Sequence, residues 1–228
     1  MSNPVRWFID INKKCFEAVA KLFPNTKISI DKYYSEYVRE NLRDNITILD
    51  IGGGKTWHFR EQRKNFSGLR VIALDPSEKE LSYNHDVDEK IIFAMGIDAR
   101  APLDDNSVDI VTSHMVLEHI PNNNYTMREI SRILKPGGKF ISAFPCKFAI
   151  FAIINQMLPN WLARKILFAI HPNARFGCEF KFAFNYNQSW YFSFFLPFGL
   201  IALAWDLLMY IFHVKPLCGY LCFSATKK

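Results

Sequence analysis

Residues 46–56 read ITILDIGGGKT, and this stretch decides the fold. The β-branched, apolar run at 46–51 predicts a short buried strand, and the polar stretch from Trp57 to Phe66 predicts a helix. The three glycines between them permit a tight turn and let backbone N–H groups face a ligand with no Cβ in the way. The stretch therefore predicts a strand, a glycine turn and a helix built around a ligand.

Further strands and helices alternate over the following ninety residues. The predicted strands are 69–74, 91–95, 108–113 and 139–144, and the predicted helices are 78–84 and 127–134. Pro136, Gly137 and Gly138 are expected to end the last helix and to turn the chain into the fifth strand. Strands that alternate with helices at this spacing indicate parallel βαβ units in an α/β, Rossmann-like, doubly wound, mostly parallel sheet.

Acidic residues stand at the ends of three predicted strands, where ligands of such sheets bind. Asp50 precedes the glycine turn, and Asp75 ends strand two, where a carboxylate can accept from both hydroxyls of a ribose. Asp98 follows strand three, where a carboxylate can accept from an adenine amino group. NAD-binding domains also use an acid at the end of strand two, so these residues alone leave the nucleotide open.

Four motifs resemble those of a known family. ILDIGGGKTWHF, VIALDPSEKEL, GIDARAPLDDNSVDIVTSHMVLEHI and ILKPGGKFI occur in the order and at the spacing of the class I S-adenosylmethionine-dependent methyltransferases, and of their methyltransferase type 11-like group in particular. The resemblance covers residues 46–144. The RILKPGG run separates the chain from the dehydrogenases, whose sheets lack it in this place. The glycine turn departs slightly from the family, because it reads GGGKT where many members have GxGxG.

The resemblance implies S-adenosyl-L-methionine as the cofactor. It implies that Asp50 and the glycines hold the methionine part, that Asp75 binds the ribose, and that Asp98 and Ala99 meet the adenine. The residues after strand four are implied to line the cofactor and to open toward the methyl acceptor. The cofactor-binding residues expected on this basis are Asp50, Gly52, Gly53, Gly54, Asp75, Pro76, Asp98, Ala99, Ser113, His114 and Met115.

Methyl transfer requires few catalytic side chains, because the sulfonium is already an activated donor. The displacement needs mainly an in-line approach of the acceptor atom to the methyl group. A base is required only if the acceptor holds its proton at neutral pH. His119, beside Glu118, is the candidate base, since a histidine near its ordinary pKa of about 6.5 can take a proton from a hydroxyl. The alternative is that the two form a helix-capping or packing pair. His58 and His114 are expected to serve local structure rather than chemistry.

Composition restricts the class of protein. The chain has 228 residues, of which 50% are hydrophobic, 22% charged and 15% aromatic, so it is not disordered and can bury a full core. Its five cysteines are scattered and contain no CxxC, which predicts neither a disulfide framework nor a metal site. Charges interrupt the apolar residues of the N-terminal stretch, which predicts an amphipathic helix rather than a secretory signal. We therefore expect a cytoplasmic protein.

Charge is distributed unevenly along the chain. Residues 145–228 contain 8 basic and 2 acidic residues and 20 of the 35 aromatic residues, whereas basic and acidic residues balance before Pro145. This second part of the chain is expected to contact a partner or surface that is apolar, anionic or both. The expected organisation is a helical cap at 1–45, the cofactor-binding core at 46–144, an aromatic, basic insertion on the acceptor side at 145–190, and the completion of the sheet at 191–228.

The family fold implies a seven-stranded sheet whose last strand is antiparallel. Residues 200–204 are the candidate sixth strand and 219–226 the seventh. The segment Phe194–Phe212 is about as apolar as a membrane span of roughly 20 residues, but a proline, a glycine and an aspartate interrupt it. A core strand followed by a helix is the favoured interpretation, and a membrane span is the alternative.

The sequence thus predicts a methyltransferase that acts at oxygen on a small or a lipid- or glycan-linked acceptor. Phe184 to Pro197 is similar to a run in methyltransferases found with bacterial surface-polysaccharide and lipid biosynthesis. An anionic membrane surface at the inner face of the membrane is a candidate partner. No nucleic acid is expected, because the chain has no Asn-Pro-Pro-Tyr or Asp-Pro-Pro-Tyr tetrapeptide. The alternative is a non-catalytic protein that keeps the fold and binds a membrane or a partner.

Overall fold

The computed structural model describes residues 4–23, 30–97, 99–145, 159, 162, 195–212 and 220–228. The chain forms two compact units. The sheet unit comprises residues 30–144 and 222–228, and the second unit comprises residues 1–29 and 145–221. Apart from residues 145, 159 and 162, the predicted insertion at 145–190 lies outside the described residues, and so does Asp98.

Six strands form one sheet in the order β3-β2-β1-β4-β5-β6. The strands are β1 Thr47–Ile51, β2 Arg70–Asp75, β3 Glu89–Ile92, β4 Val108–His114, β5 Leu134–Pro145 and β6 Tyr220–Thr226. Neighbouring strands from β3 to β5 pair in parallel, and the strand order reverses at β1. The five strands predicted between 46 and 144 and the predicted strand at 219–226 are thus confirmed, with small shifts at their ends.

The last strand runs antiparallel to β5. Lys227, just after β6, exchanges backbone hydrogen bonds with Gly137 and Gly138 near the start of β5. Phe223, four residues earlier, packs against Phe140 and Phe144, with ring centroids 5.2 and 6.1 Å away. Earlier residues of β6 therefore lie beside later residues of β5, which makes the sheet mostly parallel, as predicted.

The predicted turn at residues 136–138 is wrong in one respect. The helix before it already ends at Ile133, and residues 136–138 lie within β5. The register against β4 shifts there, from Val108 opposite Leu134 to Ile110 opposite Lys139. Gly137 has φ +77°, a conformation that glycine adopts without strain, so the extra residues bulge out of the strand instead of ending the pairing.

Helices cover the sheet and complete the second unit. They are α1 Pro4–Ala20, α2 Ile30–Arg39, α3 Arg60–Arg63, α4 Glu78–Ser82, α5 Asn123–Ile133 and α6 Leu196–Ile211, with a 3₁₀ turn at Leu117–His119. The helix predicted from Trp57 to Phe66 is wrong over most of its length, because only the four residues of α3 are helical. The side chains of Trp57 and Phe59 are buried in the core before the helix begins, which holds that part of the chain in an irregular path.

The two faces of the sheet carry separate apolar clusters. Leu49 and Ile51 of β1 belong to the cluster on one face, which α5 covers with Ile130 and Ile133. Ile48 lies on the other face with residues of α2, including Tyr34 and Val38. Since side chains alternate along a strand, Asp50 points to the same face as Ile48. This alternation places the first-motif acid on the side of the sheet that α2 covers.

In the second unit, α1 packs against α6. Phe16, Ala20 and Leu203 are buried together, and Asn12 accepts a hydrogen bond from the Leu196 backbone N–H at 2.9 Å. The N-terminal helix is thus confirmed, whereas the sixth strand expected at 200–204 is wrong, because these residues lie in the middle of α6. Within the described part of the chain, no helix has the length and apolar content needed to cross a membrane.

Candidate functional site

The first-motif acid is buried and held by one neighbour. The Thr112 hydroxyl of β4, which lies opposite Asp50 in the sheet register, donates to Asp50 Oδ1 at 2.7 Å. Burial raises the pKa of Asp50 from 3.8 to about 6, although the bond from Thr112 lowers it in part. This carboxyl therefore changes its protonation state near neutral pH. A cation bound beside it would favour the ionised form and lower its pKa.

The glycine turn that follows β1 is tightly confined. Gly52 has φ +75°, and a Cβ at this position would lie 2.3 Å from Cγ2 of Val116. A Cβ at Gly53 would lie 2.7 Å from the Cβ of Ala73. The backbone N–H of Gly52 donates to the Leu74 carbonyl at 2.7 Å, which ties the turn to the end of β2. Larger residues are thus excluded at Gly52 and Gly53, and the turn stays close to the strand ends.

Asp75 connects the turn to the second strand. Its carboxylate accepts from the Gly54 N–H at 3.2 Å and from the Ser77 N–H at 2.8 Å. A carboxylate offers about four acceptor sites, so two remain for a ligand. Pro76, which follows it, is exposed, and Ser77 caps α4 by accepting from the Glu80 N–H. Asp75 is therefore oriented by backbone donors before any ligand is present.

Two of the residues predicted after β4 have unusual properties. Ser113 is buried, and its Oγ has no hydrogen-bond partner among the described residues. Met115 has φ +56° and donates its N–H to the Ala143 carbonyl at 2.7 Å. Left-handed backbone is costly for a residue with a side chain and is concentrated at functional sites. The chain thus turns sharply where β4 reaches the same sheet edge as the glycine turn.

His114, at the end of β4, is surrounded by residues of α2 and of the loop after the glycine turn. Its Nε2 lies 2.8 Å from Oδ1 of Asp31. The Tyr34 ring is 4.7 Å and the His58 ring 5.4 Å from it, centroid to centroid. Neither Asp31 nor Tyr34 was predictable as a site residue, because both lie in a helix that precedes the first motif and belong to no motif.

The predicted acid/base pair lies one turn further on. His119 Nε2 is 3.9 Å from Oε1 of Glu118, and partial burial lowers the pKa of His119. Burial also raises the pKa of Glu118 from 4.5 to about 7, and its Oε2 has no hydrogen-bond partner within the described ranges. The two side chains therefore lie close together, with Glu118 the more buried of them. A catalytic role for His119 stays a prediction.

The structure brings the residues from three strand ends to one edge of the sheet. Asp50 and the glycines lie after β1, Asp75 lies after β2, and the Ser113 segment lies after β4, with β1 between the other two strands. Ala99 is exposed in the loop after β3, while its neighbour Asp98 lies outside the described residues. Where the structure describes the chain, no group of three histidine, cysteine or acidic side chains is arranged to hold a metal ion.

Part of the sequence is similar to those of known methyltransferases. Residues 49–142 match the family described as a methyltransferase domain. A sterol 4-C-methyltransferase of Caenorhabditis elegans is 30% identical over 104 residues, which is 44% of this chain and 31% of that protein. A demethylmenaquinone methyltransferase of Mycobacterium marinum is 29% identical over 159 residues, 66% of each chain. The chain thus spans less than two thirds of the length of these relatives.

Solved structures are also similar, and one example is a bacterial enzyme. An S-adenosylmethionine-dependent methyltransferase from Mesorhizobium loti is 23% identical, with a TM-score of 0.41 over 47% of this chain and 50% of that one.

Proposed function

We propose that this chain, whose residues 49–142 match the family described as a methyltransferase domain, is a class I S-adenosylmethionine-dependent methyltransferase that transfers a methyl group to a hydroxyl oxygen of a small or a lipid- or glycan-linked acceptor. S-adenosyl-L-methionine is the proposed methyl donor, as the motifs between residues 46 and 144 imply. The observation that carries the proposal is the convergence of Asp50, the glycine turn and Asp75 at one sheet edge, where the strand order reverses. Ligands bind at this position in open α/β sheets.

The residues present fit the cofactor. The glycine turn is held close to the strand ends, because a Cβ at Gly52 or Gly53 would overlap Val116 or Ala73. The buried Asp50 carboxyl can pair with the amino group of the methionine part, and the remaining acceptor sites of Asp75 suit the ribose hydroxyls. We assign Ala99 and Asp98 to the adenine, and the segment Ser113–Met115 to the side from which the acceptor approaches.

Asp75→Ala tests the ribose contact. Loss of charge-assisted hydrogen bonds worth roughly 1.5 to 3 kcal/mol lowers the affinity for S-adenosylhomocysteine by about 10- to 100-fold. Asp104→Ala is the matched control, because it removes an exposed carboxylate that lies in the turn before β4. Calorimetric titration of folded variants measures both. An unchanged affinity in Asp75→Ala would remove the ribose assignment.

The acceptor is proposed to be amphiphilic. Sterol and demethylmenaquinone, which stand in the names of two relatives, are both largely apolar molecules. Incubation of the protein with tritiated S-adenosylmethionine and separate polar-lipid, glycan and small-molecule extracts identifies the acceptor class by the fraction that gains label. Stability of the label to mild alkali distinguishes a methyl ether from a methyl ester. Label in none of the fractions would contradict methyl transfer to these classes.

A membrane surface is the proposed location of that acceptor. The helix α6 and the residue after it expose large apolar side chains, among them Ile201, Ile211 and Phe212, and residues 145–228 carry the excess of positive charge. Basic residues near an anionic surface contribute about 1 kcal/mol each, an attraction that salt screens within about 10 Å. We expect cosedimentation with phosphatidylglycerol vesicles that falls with added salt. Equal binding to neutral vesicles at low salt would contradict the role of charge.

A further inference from the structure

His114, assigned above to the side from which the acceptor approaches, contacts two residues of α2 that have no role in the cofactor assignments, Asp31 and Tyr34. Asp31 belongs to α2, and His114 ends β4, 83 positions later in the chain. Their side chains are 64% and 20% exposed, so the carboxylate faces water while the imidazole is largely enclosed. The Tyr34 ring contacts the same imidazole at 4.7 Å. The contact therefore fixes the orientation of a histidine at the edge where the proposed cofactor site lies.

The contact also determines which ring nitrogen carries the proton. An ionised carboxylate can only accept hydrogen bonds, so the nitrogen 2.8 Å from Asp31 Oδ1 must be the donor. In the neutral ring, His114 then has its proton on Nε2 and a free electron pair on Nδ1. In many enzymes, a histidine that acts as a general base is oriented by a carboxylate on its other ring nitrogen, and this carboxylate holds the imidazole in one tautomer.

We propose that His114 is the general base that accepts the proton of the acceptor hydroxyl, and that Asp31 is its positioning residue. This proposal rests on the proposed methyl transfer to a hydroxyl. It differs from the candidate base that the sequence offered, His119, which lies a turn further along the chain, where its Nε2 is 3.9 Å from Oε1 of Glu118.

The proton and electron balance is simple. When bound, S-adenosylmethionine supplies a methyl group on a positively charged sulfur, which keeps the bonding electron pair after transfer. The acceptor oxygen forms the new bond to the methyl carbon and gives up its hydrogen as a proton. His114 Nδ1 takes this proton, and the resulting imidazolium keeps its Nε2–H bond to the Asp31 carboxylate. Release of the proton to water restores the base.

The groups that face His114 are compatible with this charge. From α2 it faces the carboxylate of Asp31 and the phenol of Tyr34, whose pKa burial raises well above 10.0. From the loop after β1 it faces His58, whose pKa is lowered first by desolvation and then by His114 itself. The acids Asp50 and Glu118 also interact with it electrostatically. The lowered pKa of His58 and the raised pKa of Tyr34 both disfavour a charge on these two neighbours.

The competing interpretation is that the Asp31–His114 contact only fastens α2 to the sheet. Nitrogen-15 NMR of the histidine rings separates the two without any acceptor. We expect the Nε2-protonated tautomer for His114 in the wild type, and a mixture of tautomers in Asp31→Asn. Glu36→Gln is the matched control, since it neutralises another exposed carboxylate of α2 that pairs with Lys32 and not with His114. The Nδ1-protonated tautomer in the wild type would overturn the proposal.

Acylation by diethyl pyrocarbonate tests whether the free nitrogen can be reached at the cofactor site. The exposed His85 provides an internal reference within the same sample. We expect acylation of His114, detected by peptide mass spectrometry, and loss of this acylation with saturating S-adenosylhomocysteine while His85 reacts unchanged. Failure of His114 to react, or reaction that bound S-adenosylhomocysteine leaves unchanged, would place it away from the site and overturn the proposal.

Kinetics with the labelled acceptor fraction completes the test. General-base catalysis contributes at least about 100-fold, so His114→Ala should lose this factor in kcat. Added imidazole should restore part of the rate, and Asp31→Glu should retain more activity than Asp31→Asn. Full activity in His114→Ala overturns the proposal and leaves the proposed function intact. Absence of transfer in the wild type as well contradicts the proposed function, and the NMR and acylation results then decide the role of His114.

Discussion

Affinity for S-adenosylhomocysteine should depend on pH through Asp50. Burial raises the pKa of this carboxyl to about 6 in the free protein, and an ammonium group binds only to its ionised form. At pH 5 about nine in ten Asp50 carboxyls are protonated, so the affinity should fall about tenfold between pH 7 and pH 5, equivalent to about 1.4 kcal/mol. Calorimetric titration across this range, in buffers of different ionisation enthalpy, measures the affinity and the proton released on binding.

Two variants control this experiment. Asp50→Asn should bind S-adenosylhomocysteine weakly at every pH between 5 and 7, because its amide has no ionised form to pair with the ammonium group. Thr112→Val removes the 2.7 Å hydrogen bond that favours the ionised carboxylate, so its affinity should begin to fall at a higher pH than in the wild type. A wild-type affinity that stays constant from pH 7 to pH 5, with no proton released, would refute the pairing of Asp50 with the ligand amino group.

Two further changes test the confinement of the site. Gly52→Ala should lower the free energy of unfolding by about 2–4 kcal/mol, because the new side chain strains the left-handed backbone and overlaps Val116. Adding Val116→Ala to this variant should remove the overlap and leave the backbone strain. Urea denaturation measures this, and an unchanged stability would contradict the close approach. The pKa of Glu118 is raised from 4.5 to about 7 by burial, so the folded state favours the protonated form and wild-type stability should fall as pH rises from about 4.5 to about 7. Glu118→Gln should lack this fall and be more stable by up to about 3 kcal/mol at pH 8, whereas equal stability at pH 5 and pH 8 in the wild type would show that the carboxyl is hydrated.

The sheet was predictable from sequence because its determinants are local. The β-branched runs, the glycines after Ile51 and the acid after Leu74 each lie within one strand and its following turn. Parallel strands bring their carboxyl ends to one edge, so the positions of Asp50 and Asp75 followed from the strand assignment alone.

The errors occurred where tertiary contacts override local pattern. Residues 200–204 read LIALA, an apolar run that is equally compatible with a buried strand and a helix, and the packing of Leu203 against Phe16 of α1 accompanies the helical form. The contact between Asp31 and His114 joins positions 83 residues apart, and the sequence carries no spacing that predicts it. Residue type alone could nominate His114 but could not identify its partner.

The most direct measurement of the central claim is calorimetric titration of the full chain with S-adenosylhomocysteine and, separately, with NAD. The glycine turn and the acids at the ends of β1 and β2 are compatible with either nucleotide, and the family match over residues 49–142 favours the first. We expect saturable binding of S-adenosylhomocysteine that weakens in Asp75→Ala, together with no heat of binding for NAD. Tight binding of NAD with no response to S-adenosylhomocysteine would contradict the account.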